Sequence, residues 1–290
     1  MMKHKSFAVF ILSHGRANNI ITIQALKKSN YTGKIYIIID DEDEQEQDYR
    51  KNFGDDVIQF CKIEASKTTD VMSPSKKRNA VVFARNECHK IAKDLGIEYF
   101  LVLDDDYSTF EYRFADGEKL AHKRISNIDA VFDEMLEFLD VSGAVTVAMA
   151  QGGDFIGGLN GGKYKQGLLR KAMNSFFCRT DRPFKFLGLI NEDTNAYCLL
   201  GSQGKMFFTV TYLDLQQLDT QSNAGGLTDI YLEDGTYLKS FYSVMCMPSA
   251  VTVRPMNSTH SRLHHQVKWK SCVPQIISEK YKKRSEMNGE

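Results

Sequence analysis

Several features that define membrane and secreted proteins are missing from this sequence. No apolar run approaches the roughly 20 residues that a helix needs to cross a bilayer. The short apolar run Phe7–Leu12 follows a basic start, but no small-residue cleavage site follows it. It therefore predicts a first strand and not a signal peptide. We expect a soluble, cytoplasmic protein with no membrane partner.

The sequence also lacks a paired-cysteine motif and an excess of charge of either sign. Its six cysteines are scattered with no CxxC pair, which argues against a disulfide framework or a zinc cluster and predicts free thiols. Lys and Arg total 37, as do Asp and Glu, so no whole-molecule field draws the chain toward nucleic acid. Any contact with a polyanion must be local.

Strand-like and helix-like patterns alternate through the first part of the chain. Strands are predicted at Phe7–Leu12, Lys34–Asp40, Val57–Ile63 and Tyr99–Leu103, and helices at Asn18–Ser29 and Ser75–Leu95. This order predicts a Rossmann-like, doubly wound α/β sheet. In such sheets ligands bind at the carboxyl ends of the strands.

The rest of the chain does not continue the regular alternation of strands and helices. We predict a helix at Asn127–Leu139, a strand at Ala144–Ala150, a glycine-rich loop at Gln151–Gly162 and several short strands within Met206–Val253. These strands would make the sheet a mixed one. Since no linker divides the chain, a single domain is expected. The polar stretch Ile276–Glu290 predicts a helix that frays into a disordered tail at residues 284–290.

Three carboxylates, Asp104, Asp105 and Asp106, directly follow the predicted strand Tyr99–Leu103. Their mutual repulsion costs stability unless a cation compensates it. Oxygen ligands suit Mg²⁺ or Mn²⁺, and such an ion could bridge these carboxylates and a diphosphate. The pattern therefore indicates a metal and nucleotide site. The alternative is a solvated acidic strand end without a metal.

Two further groups could contribute to the same edge of the sheet. Asp40 ends the second predicted strand and could hydrogen-bond a ribose or a base, whereas from Asp43 onward we expect a solvated loop. Arg78 and Arg85 are seven residues apart, or two helical turns, and so should share one helix face. Either arginine could brace a phosphate or the metal-binding carboxylates. Structural ion pairing is the alternative.

A second acidic motif, Glu192 and Asp193, follows another apolar run. Displacement with inversion needs a base for the acceptor hydroxyl, and a carboxylate in a partly dry cleft is a common choice. We therefore expect Asp193 to be the catalytic base, with Glu192 as the second candidate. Helix capping is the alternative role.

Histidines and basic residues concentrate late in the chain. Among His260, His264 and His265, either of the last two could be an additional metal ligand. Basic residues are concentrated in the segment Lys163–Lys185, with aromatic residues between them. The basic side chains could contact a phosphate backbone while an aromatic ring stacks against a base. The candidates for nucleic-acid contact are Lys163, Lys165, Arg170, Lys171, Arg179 and Arg182. A solvated surface is the alternative.

These motifs resemble a known family. The runs ILSHGR, IYIIIDDED, KKRNAVVFARN and YFLVLDDDY resemble the GT-A glycosyltransferases. With RKAMNSFF, RPFKFLGLINEDTNAY, TQSNAGGLTDIY, GTYLKSFYSVM and HHQVKWKSCVP, the chain resembles the TET-associated glycosyltransferases, which occur mostly in phages. The resemblance runs from Ser6 to about Lys283. It implies a GT-A domain over residues 1–283, with a nucleotide-binding half at 1–110 and an acceptor-binding half at 111–283.

The resemblance also implies a reaction. The donor would be a UDP-type sugar, the metal Mn²⁺ or Mg²⁺, and the acceptor a hydroxymethylated pyrimidine in DNA such as hydroxymethylcytosine. Such a modification would hide phage DNA from restriction enzymes in the host cytoplasm. By this resemblance, Ser13 and Arg16 would contact the nucleotide, and Asp40 would contact its base or ribose. Asp104 and Asp106 would bind the metal and the sugar.

Asp193 matches the catalytic base of inverting GT-A enzymes, so we favour inversion over retention. Three alternatives remain open. They are a glycosyltransferase with a protein or glycan acceptor, a nucleotidyltransferase, and a catalytically inactive DNA-binding module.

Overall fold

The computed structural model describes residues 6–73, 78–217, 238–257 and 261–274. The strands are β1 (Phe7–Leu12), β2 (Lys34–Asp40), β3 (Val57–Phe60), β4 (Tyr99–Asp104), β5 (Tyr107–Asp116), β6 (Lys119–Arg124), β7 (Thr146–Ala150), β8 (Leu168–Leu169), β9 (Ser175–Arg179), β10 (Phe207–Gln217), β11 (Val251–Asn257) and β12 (Ser261–Val267). The helices are α1 (Ile21–Lys28), α2 (Glu46–Phe53), α3 (Lys62–Thr68), α4 (Val82–Asp94), α5 (Ile128–Ser142), α6 (Gly162–Gln166), α7 (Glu192–Ser202) and α8 (238–246).

Ten of the described strands form one sheet in the order β3-β2-β1-β4-β9-β7-β10-β5-β6, with β8 beside β10. Strands β1 to β4 are parallel to one another, and β7 and β10 run in the same direction. Strands β9 and β5 run the opposite way. The mixed, doubly wound α/β sheet expected from the sequence is therefore confirmed. Strands β11 and β12 form a separate two-stranded sheet.

The central strands are apolar because both of their faces are covered. All six residues of β1 are buried, as expected for a parallel strand between two layers of helices. One core lies on the side of α1 and α5, and the other on the side of α4 and α7. The register aligns Leu12 of β1 with Asp104 of β4, so the polar residues that follow both strands meet at one edge of the sheet.

The predicted short strands within Met206–Val253 are wrong for part of that segment. A long strand, β10, is followed after a gap in the described residues by the helix α8, and only then by β11. The aromatic residues of α8 have high strand propensity, but tertiary contacts decide its conformation. The hydroxyl of Tyr242 accepts a hydrogen bond from the backbone amide of Leu189 and donates one to the carbonyl of Val71.

Other predictions can be compared directly with the described residues. All six cysteines are free thiols, as predicted. None of the described helices has the length and apolar character required to cross a membrane. The predicted helix and tail over Ile276–Glu290 lie outside the described residues, as does His260.

A buried histidine in α4 gives a testable pH dependence. The ring of His89 lies 4.9 Å from the ring of Phe100 and 5.5 Å from that of Phe184. Neither of its nitrogens has a hydrogen-bond partner among the described residues. Burial lowers the pKa of His89 to about 4.

Because the unfolded chain binds a proton at His89 near pH 6.5, stability should fall as the pH drops from 6.5 toward 4. Between pH 7.5 and 4.5 we expect wild type to lose about 2 kcal/mol more than His89→Phe. Urea unfolding at both pH values measures this difference, with His89→Leu as a second variant that lacks the titrating ring. Equal losses in all three proteins would contradict the prediction.

Candidate active site

A hydrogen-bond network joins the loop after β1 to the acidic residues after β4. The hydroxyl of Ser13 lies 2.7 Å from the hydroxyl of Tyr49 and donates to the Asp105 carboxylate, also at 2.7 Å. Arg16 donates to the second oxygen of Asp105 at 2.5 Å. Burial raises the pKa of Asp105, although Ser13 and Arg16 oppose the shift. The structure thus brings together three of the residues predicted to contact the nucleotide.

The other two carboxylates of this group have different partners. Asp106 accepts a hydrogen bond from the amide of Gln217 at 3.0 Å, and Asp104 faces Arg85. Burial and the negative charge of Asp104 raise the pKa of Asp106 to about 6. Within the described residues no three side chains converge as a ready-made metal site. The set nevertheless consists of oxygen donors whose crowded negative charge a divalent cation would relieve.

Asp40 lies at the end of β2, beside the loop that follows β1. Its carboxylate is 2.8 Å from Nδ1 of His14 and 3.1 Å from the ammonium of Lys62. Burial disfavours the charged form of Asp40, but these partners outweigh it and lower the pKa. Asp43, expected in a solvated loop, is instead only 6% exposed and accepts from the backbone amide of Gly15 at 2.8 Å. That prediction is wrong because the carboxylate fixes the turn after β1.

Arg85 of α4 connects the two acidic motifs. Its guanidinium donates to both oxygens of Asp104 at 3.2 Å and makes a short hydrogen bond with Glu192. The side chain is buried, with its guanidinium carbon 5.1 Å from the ring centre of Phe176 and 5.8 Å from that of Phe186. Arg85 therefore pairs with carboxylates, a contact that fits both the predicted bracing role and the alternative of structural ion pairing.

Arg78 lies elsewhere. It precedes α4, which begins at Val82, so the prediction that Arg78 and Arg85 share one helix face is wrong. The Arg78 guanidinium instead binds the half-exposed carboxylate of Glu42 at 2.5 Å and 2.9 Å.

Glu192 and Asp193 form the first turn of α7. The preceding residue, Asn191, has the left-handed backbone angle φ 54° and anchors this turn by donating to the carbonyl of Lys239 at 2.8 Å. Burial raises the pKa of Glu192 to about 7, although the charge of Arg85 opposes the shift. The buried Asp193 accepts from the amide of Thr194 at 2.6 Å. The positive end of a helix favours a carboxylate at this position.

The two histidines proposed as metal ligands lie in β12, opposite Val253 and Arg254 of β11. Nδ1 of His264 is 2.6 Å from the carbonyl of His265. Burial lowers the pKa of His265 to about 4. No hydrogen bond or ion pair found within the described residues joins either histidine to the acidic residues after β4.

The basic segment is divided between the two edges of the sheet by β9. Arg179, the last residue of β9, is opposite Tyr99 at the amino end of β4 and binds Asp140 at 2.7 Å. Arg182 donates to the carbonyls of Leu139 and Ala144 near the end of α5. These two arginines lie away from the edge that carries Asp104, because β9 runs antiparallel to β4.

Before β9, the basic residues differ in exposure. Lys171 is only 7% exposed and binds Asp154 at 2.5 Å, and the exposed Lys163 contacts the same carboxylate at 3.3 Å. Lys165 and Arg170 are exposed to solvent.

Comparison with known proteins adds to this geometry. A family model of the TET-associated glycosyltransferases matches residues 7–226. The chain belongs to this family. It is accordingly a glycosyltransferase, and the matched residues include both acidic motifs and Arg85. No curated protein sequence gave a match.

Solved structures with low sequence identity also resemble this glycosyltransferase. Glucosyl-3-phosphoglycerate synthase from Mycobacterium tuberculosis, solved with Mg²⁺ and UDP, matches with 12% identity and a TM-score of 0.45 over 91% of this chain and 88% of that one. Mannosyltransferase PcManGT from Pyrobaculum calidifontis, solved with GDP-Man and Mn²⁺, matches with 9% identity and a TM-score of 0.48 over 84% and 72%.

Two residues of the candidate site, Thr22 and Tyr107, were missed in the sequence. The hydroxyl of Thr22 donates to the carbonyl of Asp104 at 2.7 Å and accepts from the amide of Tyr107 at 3.0 Å. Tyr107 in turn donates to the carbonyl of Asn174 in a short hydrogen bond. The position of Tyr107 directly after the three carboxylates was a usable signal. No sequence pattern marked Thr22.

Proposed function

We propose that this glycosyltransferase moves a sugar from a UDP-type nucleotide-diphosphate sugar to a hydroxymethylated pyrimidine in DNA. If the chain is phage-encoded, the reaction takes place in the host cytoplasm. The observation that carries the proposal is the bridge made by Arg85 between Asp104 and Glu192. This bridge holds Asp104 and Glu192 around one buried cation, and it supports the proposal because two bound substrates must react within a single site.

The donor would bind where the loop after β1 meets the acidic residues after β4. Ser13 and Arg16 already converge on Asp105. Both side chains carry hydrogen-bond donors that suit a phosphate or ribose oxygen. The buried Asp40 would accept a hydrogen bond from the ribose or base.

The acidic residues fit a hard divalent cation such as Mn²⁺ or Mg²⁺. Asp104 and Asp106 would hold it, because their oxygens are the preferred ligands and their charges need compensation. When bound, the metal neutralises charge on the diphosphate that leaves. Arg85 holds Asp104 in place by donating to both of its carboxylate oxygens.

Asp193 would act as the catalytic base. The hydroxyl oxygen of the acceptor attacks the anomeric carbon, the bond to the diphosphate oxygen breaks, and the hydroxyl proton passes to Asp193. Attack opposite the leaving group inverts the anomeric configuration. Of the two carboxylates in the first turn of α7, Glu192 is already paired with Arg85. This pairing supports Asp193 as the base and Glu192 as a positioning residue.

The experiment that tests this proposal is release of nucleoside diphosphate from a panel of nucleotide sugars with Mn²⁺. Each assay contains DNA with 5-hydroxymethylcytosine, the same DNA with cytosine, or no DNA. We expect release that requires the modified DNA, stops when EDTA removes the metal, and is lost in Asp104→Ala. Calorimetry of UDP binding to the Asp104→Ala variant shows whether its donor site is still formed.

Other outcomes identify the alternatives. Donor hydrolysis that DNA does not stimulate would overturn the assignment of DNA as the acceptor. It would favour a protein or glycan acceptor instead. Release of pyrophosphate from a nucleoside triphosphate would indicate a nucleotidyltransferase. Binding of DNA with no turnover of any nucleotide sugar would indicate an inactive binding module.

A further inference from the structure

The zero net charge of the chain conceals a strongly asymmetric distribution. From Gly235 to Ser278 the sequence contains no Asp or Glu. It contains five basic residues: Lys239, Arg254, Arg262, Lys268 and Lys270. A basic segment without acidic residues in a neutral protein favours local contact with nucleic acid.

The only tryptophan of the protein lies within this segment. Trp269 is 39% exposed and is flanked by the exposed residues Lys268 and Lys270. Its ring centre is 5.5 Å from that of Tyr197 in α7, and the planes differ by 20°. Tyr197 thus supports Trp269 as a stacked pair, and Trp269 remains partly open to solvent. An aromatic ring fixed in this way is suited to stack against a nucleic-acid base.

The short turn that carries Trp269 is seated closely on α7. A Cβ atom at Gly201 would lie 2.9 Å from the carbonyl oxygen of Cys272, so only glycine permits this approach. The Cys272 thiol accepts a hydrogen bond from Cys198 of α7, which lowers the pKa of Cys272.

The pair is close to the proposed base. Tyr197 follows Asp193 by four residues, about one helical turn, and so lies on the same face of α7. Its hydroxyl donates to the hydroxyl of Thr194 at 3.3 Å. A nucleotide stacked on Trp269 would therefore neighbour the nucleotide whose hydroxymethyl group faces Asp193.

We propose that Trp269, supported by Tyr197 and flanked by Lys268 and Lys270, is a stacking platform that binds the acceptor DNA strand. The platform deepens the proposed function, on which it rests for the identity of the acceptor. Trp269 lies beyond the residues 7–226 that the family model matches. Two modes of contact combine here, since the ring stacks on an unpaired base and the cations bind neighbouring phosphates.

The single tryptophan provides a direct test. A single-stranded oligonucleotide containing 5-hydroxymethylcytosine is titrated into the full chain while the tryptophan emission is recorded, and fluorescence anisotropy of a labelled strand reports binding separately. We expect saturable quenching of the emission with the same midpoint as the anisotropy change. Full binding with unchanged tryptophan emission would overturn the platform.

Two variants separate stacking from folding. Trp269→Ala should weaken DNA binding about 10-fold or more, since stacking on one aromatic side chain contributes about 1–3 kcal/mol per base. Trp269→Phe keeps an aromatic ring on Tyr197 and should restore most of the affinity. The thermal midpoint and UDP binding of both variants should match wild type. If Trp269→Ala lost UDP binding as well, a purely structural role would replace the platform.

The cations are tested by salt dependence. Lys268→Ala should reduce the slope of log affinity against log salt by about 1, as expected when one phosphate contact is lost. Lys51→Ala, an exposed lysine in α2, is the matched control and should leave the slope unchanged. Equal slopes for both variants would contradict the phosphate contact. If no nucleotide sugar is turned over by wild type, the proposed function fails, but quenching by DNA still tests the platform.

Discussion

Replacement of Arg85 by methionine is expected to lower the free energy of unfolding by about 3–5 kcal/mol, the usual cost of removing one partner from a buried ion pair. Arg85 is only 3% exposed, and its charge faces both Asp104 and Glu192. Methionine preserves much of the packing against Phe176 and Phe186 but leaves two carboxylates without their cation. Urea unfolding at pH 7 measures the change.

Two further variants show whether the loss comes from unpaired charge. The double variant Arg85→Met, Glu192→Gln removes one of the two carboxylates left unpaired by Arg85→Met. We therefore expect the double variant to recover a substantial part of the lost stability. Arg78→Met is the matched control, because its partner Glu42 is half-exposed. A surface pair of this kind contributes at most about 1 kcal/mol. Equal destabilisation by Arg78→Met and Arg85→Met would contradict a special role for the buried bridge.

The segments that the sequence predicted well are those governed by local pattern. The runs Phe7–Leu12 and Lys34–Asp40 became β1 and β2 with the predicted bounds, because the apolar run of β1 is buried throughout and that of β2 is buried over its last four residues. The same logic placed Asp104 at the carboxyl end of β4. Parallel strands bring such ends together, so the position of the candidate site followed from the order of the elements.

The partners of the charged residues could not be predicted in the same way. Arg85 and Glu192 are 107 positions apart in the chain, and no local pattern specifies such a contact. The exposed hairpin of β5 and β6 was also missed, since few of its residues are buried and its periodicity is weak. For α8, contacts made by Tyr242 override a sequence that favours strands.

The basic segment shows why closeness in sequence is a poor guide to a surface. Lys171 and Arg179 are eight positions apart, but β9 carries the chain from one edge of the sheet to the other between them. Lys171 is buried against Asp154, whereas Arg179 pairs with Asp140. The proposed platform lies instead in a segment without acidic residues, Gly235 to Ser278, a feature that composition averaged over the whole chain conceals.

Asp193→Asn is expected to lower kcat on hydroxymethylated DNA by about 10²–10⁴-fold, the usual contribution of a general base. Asparagine retains the size of the side chain and an oxygen that can accept from the Thr194 amide, but it cannot take the proton of the acceptor hydroxyl. Binding of UDP, measured by calorimetry, should therefore remain within about twofold of wild type, a change well below 1 kcal/mol. Single-turnover assays with saturating DNA isolate the chemical step.

Glu192→Gln tests whether Asp193 or Glu192 is the base. Because Glu192 already pairs with Arg85, its amide analogue should reduce kcat less than Asp193→Asn and should also lower stability. If Glu192→Gln abolishes turnover while Asp193→Asn retains it, the two roles must be exchanged. Arg85 would then orient the base itself, and Asp193 would serve chiefly to stabilise the first turn of α7.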